Sequence, residues 1–148
     1  MFKHILIPTD GSPVANKAVM EGIQFAKDLG ARVTGYYAVE PVPQHIYGEG
    51  YLINNSKISQ ALQQRVSDIG EKHVEKMAKV AKAMGVPFST VVTVAETPYE
   101  GIIDAAKKHK CDAIFMASHG RRGLAGGLMG SVTHKVLTHS KLPVLVYR

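Results

Sequence analysis

The stretch Ala117-Ser-His-Gly-Arg-Arg-Gly-Leu-Ala-Gly-Gly-Leu-Met-Gly-Ser131 packs five glycines and two arginines into fifteen residues. It lies between an apolar, strand-like run, Ala113-Ile-Phe-Met-Ala117, and a segment of helical spacing, Ser131 to His139. Backbone without Cβ atoms can approach an anion closely, and a helix N-terminus beyond it offers open N–H groups and a positive dipole end. Strand, glycine-rich loop and helix in that order can therefore hold phosphate without a catalytic side chain. A surface connection with glycines at its turns would have the same composition. The flanking elements favour the anion site, and Arg121 and Arg122 are the basic residues positioned for it.

The spacing excludes two commoner phosphate motifs. A Walker loop requires G-x4-G-K-[ST], and no Gly-Lys pair followed by Ser or Thr occurs. The dinucleotide fingerprint G-x-G-x-x-G is missing after the first strand, where Thr9-Asp-Gly-Ser-Pro13 stands instead. What does fit is Gly120-x9-Gly130-Ser131, with a small residue, Ala117, three positions before Gly120.

That pattern resembles the nucleotide-binding branch of the universal stress protein family, whose motif reads G-x2-G-x9-G-[ST]. Ala117 stands where the motif has its first glycine, and an alanine there is strained only if its φ is positive. The opening Ile7-Pro-Thr-Asp-Gly-Ser12 is similar to the family's N-terminal signature. The close is similar too, with Ser131-Val-Thr-His-Lys-Val136 followed by Leu142-Pro-Val-Leu-Val146. The resemblance spans residues 1–148 as one domain.

The resemblance implies an open five-stranded parallel sheet, helices on both faces, flavodoxin- or Rossmann-like, with strand order 3-2-1-4-5. In that order the first and fourth strands are neighbours, so Pro8-Thr9-Asp10 and the 117–130 loop share one crevice. By position, Asp10 would face the ribose or a Mg²⁺ near the phosphates, and Val39 would meet the adenine edge through backbone groups. Met116 and Ala117 would line the ribose and phosphate side, with His119 and Arg121 in the loop beside them. Gly120 and Gly130 would admit phosphate oxygens, Ser131 would donate its hydroxyl and N–H, and Val132 and Thr133 would follow in the first helical turn. Read from its own residues, Asp10 is equally an Asx-turn residue, Ser131 a plain N-cap, and Val39 and Met116 core. The implied function is binding of ATP or AMP by a stress-response module. The alternative is a scaffold of the same fold that binds no nucleotide.

Nothing in the chain pairs a nucleophile with a base, so the reading is of a binding protein, with slow ATP hydrolysis or self-phosphorylation as the upper limit. Its length suits one domain with a sizeable core, and 45% apolar and 20% charged residues describe an ordinary globular chain. No apolar run is long enough to span a bilayer, and the single cysteine, Cys111, fits a reducing compartment; the cytoplasm is the expected location. The net charge of +6 raises nucleic acid as a partner. However, Lys72, Lys76, Lys79 and Lys82 fall on one helix and Lys107, Lys108 and Lys110 on another, with no interleaved aromatics. Solvated helix faces account for them better.

The elements that must position the loop alternate along the chain. Strands are expected at 2–8, 32–39, 86–94, 112–117 and 143–147. Ser12 and Pro13 open a helix that Gly30 stops, and Ile58, Leu62, Val66, Ile69, His73, Met77, Val80 and Met84 mark a long amphipathic one. Thr97-Pro-Tyr-Glu100 reads as a capping box for the next. Residues 40–56 break the alternation and are expected to form a flap on the adenine side. The final apolar strand would lie at a sheet edge, where pairing with a second copy is expected to make a homodimer.

Overall fold

The computed structural model describes residues 1–43, 45–48, 51–54, 56–121 and 128–148. Its main sheet is built from β1 (His4–Pro8), β2 (Arg32–Val39), β5 (Phe88–Val94), β6 (Ala113–Ala117) and β7 (Val144–Tyr147). All neighbours are parallel, in the order β5-β2-β1-β6-β7. Counting only these five strands, that is the expected 3-2-1-4-5. Helices α1 (Pro13–Leu29) and α2 (Ser56–Met84) cover one face, and α3 (Pro98–Lys108) and α4 (Ser131–His139) cover the other.

Strand alternation divides the core between those faces. Ile5, Ile7, Val33, Tyr37, Val39 and Phe115 pack against α1 and α2, while Leu6, Tyr36, Ile114 and Met116 pack against α3 and α4. β1, β2 and β6 are buried on both sides, which explains their continuous apolar runs. The expected apolar stripe of α2 packs on the core through Val66, Met77, Val80 and Met84. Gly70, Val74, Met77 and Ala81 face the sheet, while Ile58, Leu62 and Ile69 are exposed. Gly70 lets the helix sit close, since a Cβ there would meet the Tyr37 ring at 2.8 Å.

The caps of α1 follow the sequence and that of α3 does not. Ser12 accepts the Ala15 N–H at 3.1 Å, and Gly30, at φ +64, ends α1 in the left-handed conformation. At α3 the Thr97 hydroxyl donates to the Glu100 carboxylate rather than accepting from its backbone N–H, so the reciprocal box does not form. Residues 40–56 hold a hairpin that periodicity did not reveal, β3 (His45–Gly48) paired antiparallel with β4 (Tyr51–Asn54). Four-residue strands are too short to stand out in a sequence. Gln44, Glu49, Gly50 and Asn55 are outside the described residues.

Beyond α3, Lys110 takes the left-handed position, φ 54, that Gly30 takes beyond α1. The same pair of closing bonds forms, Lys110 N–H to Lys107 at 3.1 Å and Cys111 N–H to Ala106 at 2.8 Å. A side chain there is strained, so Lys110→Gly is expected to raise unfolding free energy by about 0.5–1 kcal/mol in a urea melt. An unchanged or lower midpoint would count against that strain.

Candidate functional site

The site begins with a failure of pairing between two central strands. Even-numbered residues of β1 turn their backbone toward β6, as the Asp112 N–H to His4 carbonyl bond of 2.8 Å shows. Pro8 is the next but one in that series and has no N–H to give. The β1–β6 ladder accordingly stops at Leu6↔Ile114, whereas β1 pairs with β2 as far as Pro8↔Tyr36. Past Leu6 the ladder is missing, a gap in the pairing with the polar loops beyond the carboxyl ends on either side.

Asp10 bridges that gap. Its Oδ1 accepts the Ser12 N–H at 2.9 Å, the Asx turn foreseen as one of its roles, and its Oδ2 accepts the Arg121 N–H at 2.6 Å. Burial by itself would raise its pKa. Hydrogen bonds from Ser12, then the Arg121 N–H and guanidinium, outweigh burial and hold the carboxyl below its usual range. Gly120 is what permits the approach, because a Cβ there would strike Asp10 Oδ2.

The far end of the loop is fastened to its near end. Gly130 donates to the Ser118 carbonyl at 2.8 Å, and the buried Thr133 hydroxyl donates to the Ala117 carbonyl at 2.9 Å. A Cβ on Gly130 would lie 3.0 Å from His119 Cα, so a side chain there would crowd the point where the two ends meet. Residues 122–127, including Arg122, Gly123, Gly126 and Gly127, are outside the described residues. Gly130, not Ser131, is the N-cap of α4, and no side chain caps it. Ser131 is therefore the first residue of the helix, exposed, with the open N–H groups of the first turn around it.

A cleft of about 610 Å³ opens over these parts. Of the residues expected there, Asp10, Val39, Gly120, Arg121, Gly130, Ser131, Val132 and Thr133 line it. Pro8, Thr9, Met116, Ala117 and His119 line a smaller recess of about 100 Å³ that shares Asp10, Gly120, Val132 and Thr133 with it. Val39 lines the cleft although it is buried, and its carbonyl accepts the Ala95 N–H at 2.9 Å. Thr9 Oγ1 likewise accepts the Gly11 N–H at 3.1 Å, and His119 Nδ1 is bonded to Ser118 Oγ at 3.1 Å. Ala117 ends β6 without a positive φ, so the missing motif glycine costs no backbone strain.

Several lining residues were not foreseen. Val66 and Ile69, read as core, form an apolar wall from α2; Thr97, Pro98, Tyr99 and Lys135 form the opposite wall. Tyr37 also lines the cleft, its hydroxyl accepting Arg121 Nη2 at 3.4 Å and its ring stacked on His73 at 5.4 Å. Burial, with Lys76 and Arg121 nearby, keeps His73 below its ordinary pKa against the pull of Asp10. Lys135 follows Ser131 by four residues, a spacing that marks a shared helix face. Among the described residues, no cluster of three or more His, Cys, Asp or Glu could hold a metal ion.

A family model described as the universal stress protein family matches residues 1–148. The chain belongs to the universal stress protein family. A universal stress protein of Methanocaldococcus jannaschii is 34% identical, with all of this chain aligned to 83% of that one. A solved structure of a second M. jannaschii family member superposes with TM-score 0.82 at 27% identity, covering 99% of this chain and 95% of that one. A universal stress protein solved in complex with cAMP shares the fold at TM-score 0.67 and 21% identity, covering 99% and 97%.

The tight contact between Gly120 and Asp10 makes a coupling measurable. Gly120→Ala alone is expected to cost about 1–3 kcal/mol, as overpacking does. In an Asp10→Ala background the carboxylate is gone and the same change is expected to cost less than half of that. Equal costs in both backgrounds, from denaturant melts, would mean that the glycine is not there for Asp10.

Proposed function

We propose that this protein binds an adenine nucleotide, ATP or AMP, in the cleft over the β1–β6 gap. The observation that carries the reading is the first turn of α4. It lines the cleft with N–H donors that no side chain caps, beside the Arg121 guanidinium, and that pairing suits phosphate. The apolar wall of Val39, Val66 and Ile69 suits the base, and Asp10 lies between the two ends, toward the ribose. The volume falls within the range of small-molecule sites. The cAMP complex of a family member of the same fold lends support. Where Mg²⁺ accompanies a polyphosphate, phosphate and water oxygens carry most of its coordination, and Asp10 is the carboxylate we assign to it.

The ligand is better read as a signal than as a substrate. A general base works best with a pKa near the working pH, and Asp10 is held well on the ionised side by its donors. Nucleotide binding would then act on the loop that Asp10 fastens, in a stress-response module of the cytoplasm. Slow hydrolysis or self-phosphorylation is the most chemistry that we assign. No described helix is long and apolar enough to cross a membrane. The rival reading, a scaffold without nucleotide, draws on the Asp10–Arg121 bond, in which the carboxylate already accepts a backbone N–H from within the protein.

Calorimetry separates the two. Saturable binding of ATP or AMP is expected, reduced about tenfold or more by Gly130→Val, which displaces His119 and the helix start. No binding by the parent protein would favour the scaffold.

We also propose a homodimer through β7, an edge strand whose residues are only half buried. The Pro143 and Tyr147 carbonyls accept from Ile114 of β6 and from Ser118 just past it, so Val144 and Val146 turn their backbone outward. Light scattering should give twice the 16.0 kDa chain mass, and Val146→Pro, which removes an outward N–H, should give the monomer with the sheet intact. A parent protein of 16.0 kDa would remove the dimer.

A further inference from the structure

We infer that Lys135 is the residue that selects for the length of the phosphate chain, favouring ATP over AMP. The inference rests on the nucleotide reading above and adds a residue that neither the glycine motif nor the loop supplies. A monophosphate needs little more than the start of α4 and the Arg121 guanidinium. A triphosphate carries more negative charge, further from the ribose, and requires a cation on the other side of the helix start.

Lys135 stands on that side. It lines the cleft one helical turn beyond Ser131, on the same face of α4. Arg121 lines the cleft from the loop and reaches toward Tyr37 on β2, so the two cations approach the first turn of α4 from different elements. The Lys135 ammonium is held over the Tyr99 ring, 5.3 Å from its centroid, and Tyr99 lines the cleft as well. A cation on an aromatic face is attracted without being neutralised, so its charge stays available to an anion. Glu100, whose carboxyl senses Lys135, is engaged elsewhere, accepting from the Thr97 and Tyr99 hydroxyls. Tyr99 is thus a positioning residue, with Lys135 the group that touches the terminal phosphate.

Calorimetric titration of ATP, ADP and AMP into the parent protein, Lys135→Gln, Tyr99→Phe and Tyr99→Leu tests the assignment. Lys135→Gln should weaken ATP by about tenfold, the loss of one charge-assisted contact, and leave AMP within about twofold. Tyr99→Phe keeps the ring and should bind as the parent does, while Tyr99→Leu should weaken ATP more than AMP. The Lys135→Gln loss should also shrink with added salt. If the parent binds none of the three, the nucleotide reading itself fails. If the parent binds them and Lys135→Gln weakens ATP and AMP equally, or neither, Lys135 does not select and the inference is overturned. Lys135 is exposed, so a folding defect is not expected, and a thermal melt of each variant verifies it.

Discussion

The seam between β1 and β6 governs the rest of this molecule. Two residue pairs of ladder join the strands, and an aspartate works at each end of that short join. At the amino ends, Asp112 accepts the Lys3 and His4 N–H groups at 2.8 and 3.1 Å, fixing register. At the carboxyl ends, Pro8 denies β6 a donor, and Asp10 spans the resulting gap to the Arg121 N–H, 111 residues away in sequence. The seam is hydrogen-bonded at one end and lacks its ladder at the other. A cleft at the topological switch point is the consequence.

From that constraint the loop chemistry follows. Gly120 has to lack a Cβ because of the Asp10 carboxylate, and Gly130 because of His119. Neither reason is contact with a ligand. Both glycines build the frame that leaves the start of α4 open, and phosphate would be met by the helix turn rather than by the glycines. The same distinction applies to Thr9 and Thr133, whose hydroxyls are occupied within the frame. Two central positions in a nucleotide motif can therefore be structural in origin and functional in effect.

Much of the fold was legible in the residues, because strand runs such as Ile5-Leu-Ile7 and caps such as Ser12-Pro13 and Gly30 depend on local chemistry. The loop and its neighbours were legible as a set, since strand order joins Asp10 to Gly120 and Gly130. The cleft walls were not. Val66 and Ile69 belong to an amphipathic stripe in the sequence, and that this part of it lines the cleft follows only from how α2 lies on the sheet. Val39 pairs with the strand that the expected order places beside it, and its carbonyl accepts the Ala95 N–H there. Lys135 carried a readable signal, its spacing from Ser131, that a search confined to the glycine loop passes over.

If nucleotide meets the start of α4 over the β1–β6 gap, the amides there must sense it, and two-dimensional ¹H–¹⁵N NMR during an ATP titration reads them one by one. Saturable shifts are predicted at Gly120, Arg121 and the Ser131, Val132 and Thr133 amides, with Lys3, His4 and Asp112 at the opposite end of the seam unmoved. Shifts that saturate elsewhere, leaving the first turn of α4 untouched, would contradict it.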